Sequence, residues 1–254
     1  MQAVAFPEHE LRLPRWPARL DGLRVAVVAD LHTGGPRTSL PRLDALVERI
    51  AASAPDVVAL LGDYVDPRVI GGARVRPDAV ATRCARLRPA AGVLAVLGNH
   101  DWANEGHAMA IALRHAGLRV LEDSAVRLTA RGGPLWIAGT GDMRRRGARV
   151  GQALAGVPAG EPCLLLSHDP DVFPYVPVRV SLTIAGHLHG GQINLPIPLT
   201  DGRIPSRYGK RFLAGHIVEG GRHLFVSRGV GDSVVPLRIR AAPEVPLLIL
   251  RTSG

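Results

Sequence analysis

The sequence predicts an α/β fold, layered as a sandwich with parallel strands in its first half. Two observations carry this. Apolar runs of strand length alternate with segments of helical spacing through the first half of the chain, and in the second half the strands lie closer together with little helix between them. Alternating strand and helix implies parallel strands joined by crossover helices. Closely spaced strands imply a second, more mixed sheet.

The elements follow in order. Residues 24–29 (RVAVVA) read as a buried strand. Residues 41–52 carry Leu43, Leu46, Val47 and Ile50 at helical spacing. Residues 57–61 are the next strand, and residues 77–87 a helix that opens on Pro77, where the missing N–H does no harm. Residues 92–97 form a third strand, and residues 107–116 a helix closed by Gly117 as C-cap. Residues 125–129 and 135–138 flank Gly132-Gly133, a hairpin signal. Residues 150–155 make a short helix; residues 164–167, 182–185, 223–227 and 246–250 read as strands. Residues 195–208 (LPIPLTDGRIPSRY) are rich in proline and polar groups and read as a long ordered loop.

At 254 residues and 46 % hydrophobic content, the chain can bury a sizeable core. Aromatic residues make up only 4 %, which leaves that core to Ala, Val, Leu and Ile. No Ser/Gly-rich or charge-run stretch divides it, so residues 1–254 are expected to form a single domain with its core at about residues 20–252. Net charge is +9, and Lys210 is the sole lysine among the cations. A basic surface suits an anionic partner, though solvated arginines account for it equally well. Aromatic residues do not interleave with the basic ones, which argues against a nucleic-acid partner. Cys84 and Cys163 are far apart and lack metal-ligand spacing, so each is expected to be a buried structural thiol. There is no apolar run of signal-peptide or membrane-span length. The expectation is a cytoplasmic protein, with peripheral contact to an anionic membrane through its arginines left open.

Five polar clusters stand where apolar runs end: Asp30-Leu31-His32, Gly62-Asp63-Tyr64-Val65-Asp66, Gly98-Asn99-His100-Asp101, Ser167-His168-Asp169 and Gly186-His187-Leu188-His189. In an open α/β sheet, ligands bind outside the carboxyl ends of the strands. Any one cluster is more simply a turn, a cap or a satisfied histidine. An ordered set of five is hard to produce that way. Oxygen and imidazole ligands without thiolate suit Mn, Fe, Zn or Mg. One shared carboxylate can bridge two ions about 3.5–4 Å apart, the spacing of two-metal hydrolases.

The set D-x-H, GD-x-x-D, GNHD, H, GH-x-H resembles the signature of the calcineurin-like phosphoesterases, across residues 30–189. The flanking stretches LSHDPD, AGHLHGGQ, PSRYGK and VSRGVG resemble the bacterial YkuE/YaeI-type branch, so the similarity runs from about residue 20 on. The resemblance implies a four-layer α/β/β/α sandwich of two mixed sheets flanked by helices. It implies two divalent metal ions: Asp30, His32 and His189 on the first, Asp63 bridging, Asn99, His168 and His187 on the second. It implies hydrolysis of a phosphodiester or pyrophosphate bond by a metal-bridging hydroxide, with His100 as general acid. Asp101 is expected to orient His100 and keep it protonated, and Asp66 to lie behind the ligands. The expected substrate is a small phosphate ester, a nucleotide-linked lipid being one class.

Arg203, Arg207, Lys210 and Arg228 are candidates for a substrate phosphate, Arg207 and Arg228 foremost. Asp142 reads as a turn residue, and His216 and His223 as structural. Two other functions stand beside the leading one. A DNA or RNA nuclease of the same fold is permitted by the charge, but no DNA-binding motif supports it. A non-catalytic scaffold would have lost ligands that are all present here.

Overall fold

The apolar runs pair into two sheets of six strands each in the computed structural model, which describes residues 3–194 and 204–253. The first sheet takes β1 (Glu8–Leu13), β2 (Leu23–Val28), β3 (Val57–Leu60), β4 (Val93–Ala95) and β5 (Arg119–Val120). The second takes β6 (Ser124–Ala130), β7 (Gly133–Gly139), β8 (Cys163–Leu166), β9 (Leu182–Ala185), β10 (Gly215–Glu219) and β11 (Arg222–Val226). The last strand, β12 (Leu247–Thr252), returns to the first sheet between β1 and β2. The helices are α1 (Leu40–Ala52), α2 (Pro77–Cys84), α3 (Asn99–Asn104), α4 (Gly106–His115), α5 (Met143–Arg146) and α6 (Val150–Ala153).

Strand order is β1-β12-β2-β3-β4-β5 in one sheet and β10-β11-β9-β8-β7-β6 in the other. Strands β2 to β5 run parallel, as do β7, β8, β9 and β11. Antiparallel partners β12, β6 and β10 make both sheets mixed. The register sets the ends level: Val28 pairs with Leu60 and Leu60 with Ala95. In the other sheet Leu166 pairs with Ile184, and Ala185 with Val226. The loops that follow these strands therefore leave from one rim.

Three apolar layers hold the sheets. Between them, Leu23, Val25, Val27 and Leu94 meet Leu135, Ile137, Leu164, Leu182, Ile184 and Phe225, all at most 1 % exposed. The central strands are buried on both faces, so they read as continuous apolar runs without alternation. On the outer face of the first sheet, α1 lays Leu43, Leu46, Val47 and Ile50 against Val58 and Leu60, and α2 and α4 add Val80 and Leu113. On the outer face of the second, α6 and the chain after it place Val150, Ala153, Leu154 and Val157 against Cys163 and Leu165. The result is the expected α/β/β/α order of layers.

Three strands escape sequence reading. The first, β1, precedes the stretch from about residue 20 that the sequence marks as core, yet it buries Leu11 and Leu13 and pairs in parallel along β12. Its alternation is short: Glu8, Glu10 and Arg12 point outward, and a half-buried histidine, His9, shares the inward face with Leu11 and Leu13. The two residues of β5 are too few to give a period, and the edge strand β10 has only half-buried inward positions. Of the loop over residues 195–208, residues 195–203 lie outside those described. After it, Ser206 Oγ donates to Asp171 Oδ1 (2.6 Å) and Arg207 N to Asp171 Oδ2 (2.7 Å).

Leu164 is fully buried between the sheets. Leu164→Ala should cost about 2–5 kcal/mol through lost transfer energy and the residual cavity. In urea this is a lower unfolding midpoint at unchanged slope; an unchanged midpoint would show that the two sheets do not share that layer.

Candidate metal centre

Seven of the polar residues picked from the sequence meet at the common rim of the two sheets. Asp30 and His32 follow β2, Asp63 follows β3, Asn99 opens α3 after β4, His168 follows β8, and His187 and His189 follow β9. The turns that aim these side chains back toward each other are unusual. Asp30, His32, Asp63, His187 and His189 all have left-handed backbone, with φ of 53°, 41°, 53°, 72° and 50°. Such a conformation costs an L-residue on the order of 1 kcal/mol, and clustered outliers of this kind mark functional sites. Backbone bonds between the loops hold them in place: Asp30 N to Gly62 O (3.1 Å), His32 N to Asp63 O (2.9 Å) and Gly231 N to Asp30 O (2.7 Å).

Close approach also explains two glycines. A Cβ on Gly98 would sit 2.1 Å from Asp63 Oδ1, and one on Gly62 2.3 Å from Gly98 N. The β3 and β4 loops touch backbone to backbone, and the Asp63 carboxylate lies over the contact. His100 N donates to Asp63 Oδ1 at 2.8 Å.

Two groups form around Asp63. On one side Asp30, His32 and His189 bring their ligand atoms together, with His32 Nε2 3.1 Å from His189 Nε2 and Asp30 Oδ1 3.9 Å from His189 Nε2. On the other, His168 Nε2 lies 3.0 Å from Asn99 Oδ1 and 3.0 Å from His187 Nδ1. Asp63 Oδ2 stands between them, 3.6 Å from His32 Nε2 and 3.2 Å from His168 Nε2. Facing imidazole nitrogens can share one proton at most. Lone pairs converging with carboxylate oxygens are, by contrast, the donor set of a divalent cation of borderline character. The residues fit a metal.

The electrostatics follow from burial. Asp30 is fully buried, and loss of solvent pushes its pKa up. Burial acts the same way on Asp63, but the charges of His168, His32 and His100 outweigh it and hold Asp63 well below the usual carboxylate range. Burial lowers His168, yet the Asp63 and Asp30 carboxylates raise it to about 10. His187 and His189 are held well below the usual imidazole range, first by burial and then by the neighbouring His168 and His32 charges.

One expected role is corrected. Asp101 does not touch His100. Its carboxylate accepts from Asp63 N (2.8 Å), Tyr64 N (2.8 Å) and Gly98 N (2.9 Å). As the third residue of α3 it turns back onto the first turn, which is where a capping carboxylate goes. Burial and the Asp63 charge raise it to about 7, against the backbone donors that favour its ionised form. The carboxylate beside His100 is Asp66: its Oδ2 lies 2.6 Å from His100 Nδ1 and 3.3 Å from His32 Nδ1. Histidine bonds hold Asp66 well below the carboxylate range in spite of burial. His100 Nε2 then faces the centre, 4.0 Å from Asp63 Oδ2.

Three arginines were missed. Arg68 Nε donates to Asp66 Oδ1 (3.0 Å), and its Nη2 touches His100 Nδ1. Arg144, on α5, places Nη2 2.9 Å from His187 Nε2 and donates to Pro205 O (2.7 Å). Arg238 is fully buried, with Nη2 3.0 Å from His189 Nδ1, and pairs with Asp232, which also holds Arg37. Arg68 had a visible signal, two residues past the GD-x-x-D block; Arg144 and Arg238 had none. Of the arginines that were named, Arg228 pairs with Glu244 at 2.8 Å and lies along Gly190. Arg207 is exposed, two residues past Pro205, whose carbonyl is 3.3 Å from His187 Nε2. Arg203 lies outside the described residues. Asp142 caps α5 by accepting from Arg144 N (3.0 Å).

A rim of oxygen and imidazole ligands, buried at the carboxyl ends of strands from two stacked sheets, is that of a metallohydrolase on an α/β/β/α sandwich. Within that class the chain belongs to the calcineurin-like phosphoesterases, whose family model matches residues 23–191. It is 30 % identical to the Bacillus subtilis metallophosphoesterase YkuE, over 99 % of this chain and 87 % of that one. It is 30 % identical to the Escherichia coli phosphodiesterase YaeI, over 89 % of this chain and 82 % of that one. A solved structure from Staphylococcus aureus, described as a 5′-nucleotidase, shares the fold at 11 % identity and a TM-score of 0.52; the match covers 91 % of this chain and 54 % of that one. Membership makes the chain a metal-dependent phosphohydrolase.

Asp101→Ala should destabilise the protein by at least about 3 kcal/mol, since three buried backbone N–H groups lose their acceptor. Chemical denaturation measures this. Wild-type stability in the variant would return Asp101 to a role at His100 alone.

Proposed function

We propose that the protein is a phosphodiesterase with a two-metal centre, cleaving a phosphodiester or pyrophosphate bond in a small substrate, a nucleotide-linked lipid being one class. The observation that carries this is the single Asp63 carboxylate, set between two buried groups of ligands. Asp30, His32 and His189 would hold one ion, Asn99, His168 and His187 the other, and Asp63 would touch both. Divalent ions there (Mn, Fe, Zn or Mg) supply charge against the phosphoryl oxygens and acidify bound water. That a relative, YaeI, is named a phosphodiesterase supports the choice of a diester over a monoester for this chain.

The chain's own groups do the rest. Asp66 accepts from His100 Nδ1 and so presents Nε2 to the centre. From there Nε2 delivers a proton to the leaving oxygen. Arg68, half-exposed and bonded to the same Asp66, offers donors to a phosphoryl oxygen on the open side. Its guanidinium also compensates the buried Asp66 charge. Arg144 sits at the opposite margin, against His187.

Metal-stripped protein resupplied with each ion should cleave a chromogenic phosphodiester faster than the matching monoester. Asp63→Ala should bind neither ion tightly by elemental analysis and show no turnover; two retained ions would defeat the bridge. His100→Ala should keep its metals and lose on the order of 10²–10⁴ in rate on a diester with a poor leaving group. Unchanged turnover on that substrate would remove His100 from the mechanism.

A further inference from the structure

Two loops beside the metal centre expose apolar side chains that could have been covered. Ile70 is 62 % exposed, Val234 52 %, Val235 39 % and Leu237 47 %. The loops are tied together: Ile70 N donates to Val234 O at 2.8 Å. The Gln192 side chain fixes the second loop through Ser233 O (2.9 Å), Val235 O (2.8 Å) and Ser233 N (2.8 Å). Val234 adopts φ 59°, a conformation β-branched residues avoid. The apolar side chains thus stand on a built ridge.

Each loop also carries an arginine that backs a histidine of the metal centre. Arg68, two residues before Ile70, bonds Asp66 and touches His100. Arg238, directly after Leu237, lies 3.0 Å from His189 Nδ1. The ridge is therefore the lip of the site.

Its composition is one-sided. Segments 67–76 and 233–240 contain no Asp or Glu, and carry Arg68, Arg74, Arg76, Arg238 and Arg240. All but Arg238 reach the surface; Arg74 and Arg76 pair with Glu105 and Asp78 from neighbouring segments. A second copy of the chain meeting this lip symmetrically would bring arginine against arginine. The complementary surface is apolar beneath and anionic above.

We infer that this lip seats the protein on an anionic bilayer, with Ile70, Val234, Val235 and Leu237 in the headgroup region and the exposed arginines against lipid phosphates. The metal centre then lies beside the membrane. The docking surface stands on the lip alone. Its consequence, that the ester cleaved is held at a membrane surface, rests on the phosphodiesterase reading.

The test is co-sedimentation of the full chain with phosphatidylcholine vesicles, with and without phosphatidylglycerol, at low and high salt. Binding should require phosphatidylglycerol and weaken with salt. The double variant Ile70→Ser/Leu237→Ser should bind about tenfold more weakly or less still, with metal content and turnover of a soluble diester unchanged. Arg240→Gln, at an exposed position, should weaken binding independently. Absence of binding at low salt overturns the inference, and so does undiminished binding by the double variant, which would mean attraction by net charge alone. A wild-type dimer in light scattering that the double variant disperses, without vesicle binding, would also overturn it. Sedimentation needs no turnover, so an inactive protein that binds vesicles defeats the phosphodiesterase reading and not this one.

Discussion

Everything at the rim is arranged around one buried carboxylate. Asp63 is 1 % exposed, in a region where an unpaired charge would be very costly. It is tolerated because imidazoles approach it from both sheets and the His100 N–H donates to it. The glycines on either side bring the β3 and β4 loops into contact at that point. The level register of the parallel strands brings the second sheet to it as well. Remove the carboxylate and the two groups of side chains have no common neighbour.

Much of the fold could be read in advance, because central parallel strands are apolar on both faces and stand out as unbroken runs. The helices were visible for the complementary reason: α1 buries one stripe and keeps the other wet. Two of the edge strands carry neither signal. The first, β1, alternates over only six residues, and β10 never buries a side chain fully. The partner of β1 is also distant in sequence, β12 at the other end of the chain. No local pattern records such a pairing.

The centre divides in the same way. The seven residues expected as ligands stood in recognisable spacings, and the structure brings them together. The tasks of the residues around them were harder to read. Asp66 and Asp101 are both carboxylates in motif blocks, and only geometry separates their tasks: Asp66 reaches a histidine, while Asp101, placed three residues into a helix turn, is drawn to backbone N–H groups. Arg238 arrives from a loop after β11, far from any block, and its burial with Asp232 leaves no trace in the sequence around it.

The two thiols carry a consequence of their own. Cys84 lies in the apolar layer outside the first sheet and Cys163 in the layer outside the second. Two sheets separate them, far beyond the few ångströms a disulfide spans. Burial pushes both up to about 12, so neither offers a thiolate to an oxidant or a metal at neutral pH. No disulfide therefore joins these two cysteines in either a reducing or an oxidising compartment. The side chains gathered at the rim are likewise carboxylates, imidazoles and an amide, with no thiol among them.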